Sequence, residues 1–292
     1  MKILTASVLA LCAWVYAAST AAPEPPPLKP YAVLDTDLVK EGSTLAASRQ
    51  WKDVYWTLND SGNKPNIYAL GPDGGLIRPA WVKKYGGIAV VGARNVDWEA
   101  MTADDKGNLI IGDFGNNMNF RRDLALYVLP EPWPQDAVET HYTARYLFRY
   151  PDMKRFPPEK LNFDAESLFF ARGKLYLMTK HRSDTFTKLY RFGELKAGEM
   201  NAPELLGRFD AGDMVTDAEA DLDGGRLAVL TYSGAWLFER PSKGDNYFEG
   251  RKAFLPFRAG QCEGIAFHGD SLLITNEEGD LFRVPLSSFK LR

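Results

Sequence analysis

The stretch NVDWEAMTADDKGNLIIGDFGNN, residues 95–117, decides the fold. It contains an acid at Glu99, a short apolar run, a turn rich in Asp and Gly, a second apolar run and a polar cluster. Two apolar runs separated by such a turn are typical of a β-hairpin. Four more stretches repeat this order in weakened form, and they begin at Glu41, Asp164, Asp217 and Cys262.

The repeats predict the architecture, because each has one glutamate near its start and two further strand-like runs behind it. In the first unit the further runs are NIYAL and GLIRPAWV, and the intervals between glutamates suit one propeller blade each. The last unit is one strand short, and the segment YAVLDTDLV near the N-terminus can supply that strand. The sequence therefore predicts an all-β fold, a five-bladed β-propeller whose ring is closed by an N-terminal strand. Six blades, the alternative, would need a unit without the glutamate.

The N-terminal residues predict export to the periplasm or the extracellular space. Residues 1–22 have the parts of a secretory signal peptide: Lys2, an apolar run over residues 3–17, and small residues at the end. A membrane anchor is disfavoured, because a span needs about 20 apolar residues. The Pro-rich residues 23–30 are predicted to be a spacer, and residues 31–292 a single propeller domain.

The composition limits the class of partner. The chain has 292 residues, 45% of them hydrophobic, and a formal net charge of −3. Such a chain can build a sizeable core, but it lacks the basic footprint of a nucleic-acid-binding protein. We therefore expect no nucleic-acid partner and no transmembrane span in the mature form.

The predicted blades bring the acids together. In a blade the start of the first strand and the end of the second lie on the same rim, so we expect the repeated glutamates to surround the central channel. Converging carboxylates need either raised pKa values or a cation. Oxygen ligands without His or Cys suit Ca²⁺. The predicted metal ligands are Glu41, Glu99, Glu166, Glu219 and Glu263. The alternative, which stays open, is that these side chains bind free backbone N–H groups of neighbouring strands.

Polar clusters follow the second strand of each unit and belong to the same rim. Basic residues among them favour an anionic small-molecule ligand. Asp60 and Asp113 are the predicted catalytic bases of a hydrolytic site. The predicted ligand-binding residues are Asn59, Ser61, Asn63, Asn116, Asn117, Arg121, Lys180, His181, Arg182, Tyr232, Asn276 and Glu277.

Several motifs resemble those of a group of exported bacterial β-propeller proteins. They are EGSTLAAS, WTLNDSGN, VDWEA, IGDFGNN and CEGIAF, and the resemblance covers most of residues 41–280. NDSGN and GDFGNN are its most specific parts. The resemblance implies the propeller fold and export, and it implies no reaction.

A looser likeness is to the calcium-activated nucleotidases (apyrases), which are secreted five-bladed propellers. In that family Glu and Ser residues that open the inner strands hold a central Ca²⁺, with nucleotide bound above it. The matching positions are the five repeated glutamates. This sequence departs from the pattern of that family, because it has Glu in all five units where the family has a mixture of Glu and Ser.

Three functions are therefore carried forward. The first is a Ca²⁺-binding site that takes an anionic ligand and, as a metal-dependent hydrolase, cleaves phosphoester or phosphoanhydride bonds. The second is a non-catalytic binding or scaffold propeller of the cell envelope. The third is a glycosidase, for which two carboxylates would suffice, although no specific motif singles out a pair.

Overall fold

The computed structural model describes residues 24–291, which form five β-sheets arranged as the blades of a propeller. The predicted signal peptide, residues 1–22, lies outside the described residues. The strand β1 comprises Ala32–Val33. The first blade contains β2–β6, which are Ala46–Ala47, Tyr55–Leu58, Asn66–Leu70, Leu76–Ile77 and Ile88–Val91. The second contains β7–β9 and β11, which are Trp98–Ala103, Asn108–Asp113, Ala125–Pro130 and Ala144–Phe148.

The third blade contains β12–β14 and β16, which are Asp164–Ala171, Lys174–Lys180, Phe186–Arg191 and Glu204–Asp210. The fourth contains β17–β20, which are Val215–Ala220, Arg226–Thr231, Gly234–Glu239 and Lys252–Pro256. The fifth contains β21–β23, which are Cys262–His268, Ser271–Asn276 and Asp280–Pro285. Short 3₁₀ helices occupy Tyr247–Glu249 and Leu286–Ser288. No helix within residues 24–291 is long and apolar enough to cross a membrane.

The N-terminal strand closes the ring, as predicted. β1 pairs antiparallel with β23, with Ala32 opposite Leu281 and Val33 opposite Asp280, so the fifth blade also has four strands. The Pro-rich segment before it also makes contact, because the Leu28 N–H donates to the Arg258 carbonyl at 2.8 Å. The five-bladed prediction is confirmed.

The outer edge of the first blade differs from the prediction. In GLIRPAWV only Leu76–Ile77 pairs with β4, and β6 supplies the rest of the edge. Pro79 follows soon after and has no N–H to donate to a ladder, which favours an end to pairing. Two short strands, Glu139–His141 (β10) and Met200–Asn201 (β15), then pair in parallel with β6 and β11 and connect successive units.

The core consists of five hydrophobic clusters, one between each pair of adjacent blades. Both faces of an inner strand are therefore covered, and every residue of β12 is buried. This explains why the inner strands read as continuous apolar runs with little alternation. The packing holds the inner strands side by side around the channel.

Candidate functional site

A one-residue β-bulge interrupts four of the inner strands near their start. In the second blade the pairing passes from Trp98–Asp113 to Ala100–Gly112, so Glu99 is the extra residue. A bulge re-aims the unpaired side chain, which here brings Glu99 to the channel. The extra residues of the third, fourth and fifth blades are Glu166, Thr216 and Glu263.

The strand pairing of the first blade is shifted by one residue in the same way. Its pairing shifts by one residue between Gly42–Asn59 and Ala46–Trp56. Ser43 follows Gly42 directly and is therefore the counterpart of the bulged residues in the other blades. The five equivalent positions hold three glutamates, one serine and one threonine.

Two of the five predicted metal ligands thus do not occupy the bulged positions. Glu41 lies before the bulge position of its unit and is exposed at the rim. Glu219 lies beyond the bulge of the fourth blade and faces the other end of the channel. Its two carboxylate oxygens accept hydrogen bonds from the backbone N–H groups of Ala47 and Phe267, both at 2.7 Å. Glu219 therefore has the backbone-binding role that the sequence left open as the alternative.

A cavity of about 250 Å³ opens between four of the five equivalent residues, Ser43, Glu99, Glu166 and Glu263. Acids outnumber bases in its wall, and no His or Cys of residues 24–291 lines it. Its lining residues are Glu41, Gly42, Ser43, Asp60, Glu99, Asn117, Glu166, Lys180, Arg182, Tyr232, Gln261, Glu263 and Glu277.

Three carboxylates lie at close range on one side of the cavity, and two of them, Asp60 and Glu99, line it. Asp60, Asp97 and Glu99 each offer an oxygen, and these oxygens lie within 4.8 Å of one another. No ion pair among residues 24–291 includes any of the three. Burial, and then the charge of Asp60, raises the pKa of Asp97 to about 6. Burial and the charges of Glu166 and Asp60 raise the pKa of Glu99 well above its usual value.

The other side of the cavity is neutralised by cations. The Lys180 Nζ lies 3.4 Å from Glu166 and donates to the Tyr232 hydroxyl at 3.0 Å. That hydroxyl in turn donates to Glu263 at 2.8 Å. Burial opposes the charge of Lys180, but Glu166 and Glu263 raise its pKa above the usual value. The chain of contacts fixes the ammonium in the cavity wall.

Arg182 brings a second cation to this side. Its Nε donates to Asp164 at 2.8 Å, and its guanidinium also contacts the predicted ligand-binding residue Asn117. Glu166 lies 3.6 Å from it. The guanidinium is partly exposed and is therefore accessible from the cavity.

Asp113 and Arg121 lie behind the cavity wall. Arg121 Nη2 donates to the fully buried Asp113 carboxylate at 2.9 Å, and Asp97 N–H donates to the same oxygen at 3.1 Å. The Arg121 N–H donates to Asn116 Oδ1 at 2.9 Å. Asp113 therefore holds the backbone of Asp97, which belongs to the acidic cluster.

Two further predicted ligand-binding residues are buried and hold turns. Asn59 Oδ1 accepts the Lys40 N–H at 3.0 Å, and Asn276 Oδ1 accepts the Asp280 N–H at 2.8 Å. Neither lines the cavity. Their role in the structure is to fix the loops that carry Glu41 and Glu277.

The remaining predicted residues lie around the rim. Ser61 is exposed, and Asn63 Nδ2 donates to Glu41 at 2.9 Å. His181 is buried, and its Nδ1 lies 2.6 Å from Asp184. Burial lowers the pKa of His181. None of these three predicted residues lines the cavity.

The sequence reasoning missed Ser43 and Gln261 in the wall and did not name Asp97 as a ligand. The Gln261 amide lies 3.3 Å from Glu263. The residue pair Asp97 and Glu99 carried a usable signal, because side chains two apart on a strand face the same way. Ser43 had no such signal, since only the strand register identifies it.

No protein-family model matches the sequence, and no curated protein matches it. The chain is similar to a chain in the crystal structure of the mitotic checkpoint complex, with 11% identity and a TM-score of 0.38 over 82% of its length. It is also similar to the extracellular domain of a putative hybrid two-component system from B. thetaiotaomicron, with 9% identity and a TM-score of 0.38 over 84%. The chain spans 62% and 27% of the lengths of those two chains.

Proposed function

We propose that the protein binds a divalent cation, Ca²⁺, at Asp60, Asp97 and Glu99, and with it an anionic, phosphate-bearing ligand. The single observation that carries this proposal is the group of three carboxylates, whose oxygens lie within 4.8 Å of one another. Within residues 24–291 no basic side chain forms an ion pair with any of these three carboxylates, whereas Glu166 on the opposite wall has two cationic neighbours. Carboxylate oxygens are the ligands that Ca²⁺ prefers.

The net charge of the acidic cavity is expected to determine the order in which the cation and the anionic ligand bind. Six acids and only two bases line the cavity, so an anion entering alone would meet net repulsion. A bound divalent cation would reverse the sign on the acidic side and leave Lys180 and Arg182 to contact the ligand. Arg182 suits a phosphate group because a guanidinium binds two oxygens at once. Ligand binding is therefore expected to require the cation.

Hydrolysis of the bound phosphoester or phosphoanhydride is the candidate reaction. The observation that favours it is that the acidic cluster and the cations Lys180 and Arg182 meet at one cavity, where a bound dication and these two side chains would together stabilise the charge of a phosphoryl group. Asp60, the base predicted from the sequence, lies in the same cluster. Asp113 is paired with Arg121, so we assign it a positioning role.

Calorimetric titration of the purified protein with CaCl₂ tests the proposal. We expect one site in the wild type and a loss of affinity of about tenfold or more in Glu99→Gln, since tenfold corresponds to about 1.4 kcal/mol. Glu41→Gln is the matched control, because it removes an exposed carboxylate from the same rim. Absence of binding, or equal losses in both variants, would overturn the cation site.

Release of inorganic phosphate from nucleotides and simple phosphoesters tests the reaction. Ca²⁺-dependent turnover that is lost in Asp97→Asn supports the hydrolase. Ligand binding that needs Ca²⁺ but gives no turnover supports a non-catalytic binding propeller instead. Turnover that chelation leaves unchanged contradicts the metal-dependent reaction.

A further inference from the structure

A second cavity, larger than the acidic one, lies at the other end of the channel and has no part in the function proposed above. It measures about 670 Å³. Its wall comes from residues at the far ends of the inner strands, among them Arg49, Phe170 and His268. Glu219 also lines it, whereas the acidic cluster does not.

The wall combines aromatic rings with fixed polar groups. The Tyr55 hydroxyl lies 2.6 Å from His268 Nδ1, and Arg226 Nε donates to Asp221 at 2.8 Å. The Arg49 guanidinium is held by the Phe170 carbonyl at 2.8 Å. These groups keep defined orientations without a ligand, which lowers the entropy cost of binding.

A tryptophan cleft adjoins this cavity. It measures about 250 Å³ and shares the lining residues Lys52, Asp53 and Val54 with the larger cavity. Trp51 and Trp133 line it with ring centroids 4.4 Å apart at 70°. The two cavities therefore adjoin along these three residues.

Trp133 of this cleft is accessible, whereas Trp51 is partly buried. Trp133 is 45% exposed, and the nearby Trp81, whose Nε1 lies 3.4 Å from Asp136, is 63% exposed. Large aromatic rings usually bury most of their area, and exposed ones mark binding sites when they cluster. Gln50 and Gln135 stand beside the rings and offer amide groups that both donate and accept hydrogen bonds.

The charges of this surface nearly balance, and this favours an uncharged ligand. Three bases face four acids in the two walls, namely Arg49, Lys52 and Arg226 against Asp53, Glu219, Asp221 and Asp223. A nucleic acid or another polyanion needs an excess of bases. A neutral, hydroxyl-rich ligand with apolar ring faces fits better.

We propose that this end of the channel binds a carbohydrate chain. The apolar faces of the sugar rings pack on Trp133 and Trp51. The hydroxyl groups exchange hydrogen bonds with Gln50, Gln135 and the polar groups of the larger cavity. The two adjoining cavities measure about 670 and 250 Å³, which leaves room for several sugar units. The affinity for the carbohydrate is therefore expected to increase with its chain length.

Tryptophan fluorescence titration and affinity electrophoresis test the proposal on the purified protein. The probes are hexasaccharides of β-1,4-glucose, α-1,4-glucose, β-1,4-xylose and β-1,4-N-acetylglucosamine, with adenosine, which carries no phosphate, as the nucleobase probe. We expect at least one hexasaccharide to bind, and about tenfold weaker binding in Trp133→Ala, as for an aromatic anchor. Trp133→Phe retains a ring and is expected to recover part of the affinity.

The controls separate this site from the cation site. Glu99→Gln, at the opposite end, is expected to leave carbohydrate binding unchanged, and Gln135→Ala, an exposed change, is expected to weaken it without a change in melting temperature. The proposal is overturned if no hexasaccharide binds at about 10 mM, a weak-affinity limit. It is also overturned if adenosine binds in preference, or if Trp133→Ala binds like the wild type.

Discussion

At the residue scale, Glu219 combines deep burial with two backbone hydrogen bonds. Burial raises its pKa to about 7, from 4.5, although the N–H groups of Ala47 and Phe267 favour the charged form. Folding therefore tightens proton binding at this carboxyl. Its contribution to stability is present at low pH and is lost as the pH rises from about 4.5 through about 7.

We predict that Glu219→Gln removes this pH dependence. The free energy of unfolding of the wild type should fall by up to about 3 kcal/mol more than that of the variant between about pH 4.5 and pH 8. Urea denaturation of both proteins at several pH values gives the free energy of unfolding as a function of pH, and the slopes of the two curves are compared. Equal slopes would show that Glu219 titrates alike in the folded and unfolded protein.

At the scale of elements, the ring depends on the short strand β1. Leu34, directly after it, is 6% exposed, packs in the cluster between the fifth and first blades, and donates its N–H to the Gly279 carbonyl at 2.8 Å. Val33, its neighbour, is 62% exposed. A change to Ala at either position keeps the backbone N–H and C=O, so the two side chains separate packing from pairing.

We predict that Leu34→Ala lowers the free energy of unfolding by about 2–5 kcal/mol, since it leaves a cavity where the ring closes. Val33→Ala is the matched control and should cost less than about 0.5 kcal/mol. Chemical denaturation of the two variants gives both values. A similar cost for both would mean that the closing segment contributes through its backbone alone.

At the scale of the whole molecule, contacts across the channel couple the blades. The Asp217 carboxylate of the fourth blade accepts the Ile265 N–H of the fifth at 3.0 Å and the Leu45 N–H of the first at 3.2 Å. Together with the five clusters between blades, such contacts leave no blade with a core of its own. The ring should therefore unfold as one unit.

The distribution of tryptophan makes this prediction measurable. Five of the six described tryptophans, Trp51, Trp56, Trp81, Trp98 and Trp133, lie in the first two units, and Trp236 lies in the fourth. Fluorescence therefore reports mainly on the first two blades, while far-ultraviolet circular dichroism reports on all five. We expect the two urea transitions to coincide. Separate midpoints would reveal a blade or group of blades that unfolds independently.

The sequence by itself determined the number of blades, the strand pattern and the closing strand. Each hairpin is formed by residues close together in the sequence. Strands that are covered on both faces require apolar runs such as LIIGD and SLLITN, and these runs can be recognised from the sequence without knowledge of tertiary contacts. The outer edge of the first blade was less predictable, because pairing there depends on which of two short segments reaches β4.

Only the tertiary structure decided which acids share the cavity. Residues 164–166 and 217–219 both read Asp-Ala-Glu, yet Glu166 is a bulged residue and Glu219 lies beyond the bulge at Thr216. The physical reason is that a strand alternates its faces at every residue, and a bulge adds one residue to that count. Register therefore fixes where a carboxylate points, and identical tripeptides end at opposite mouths of the channel.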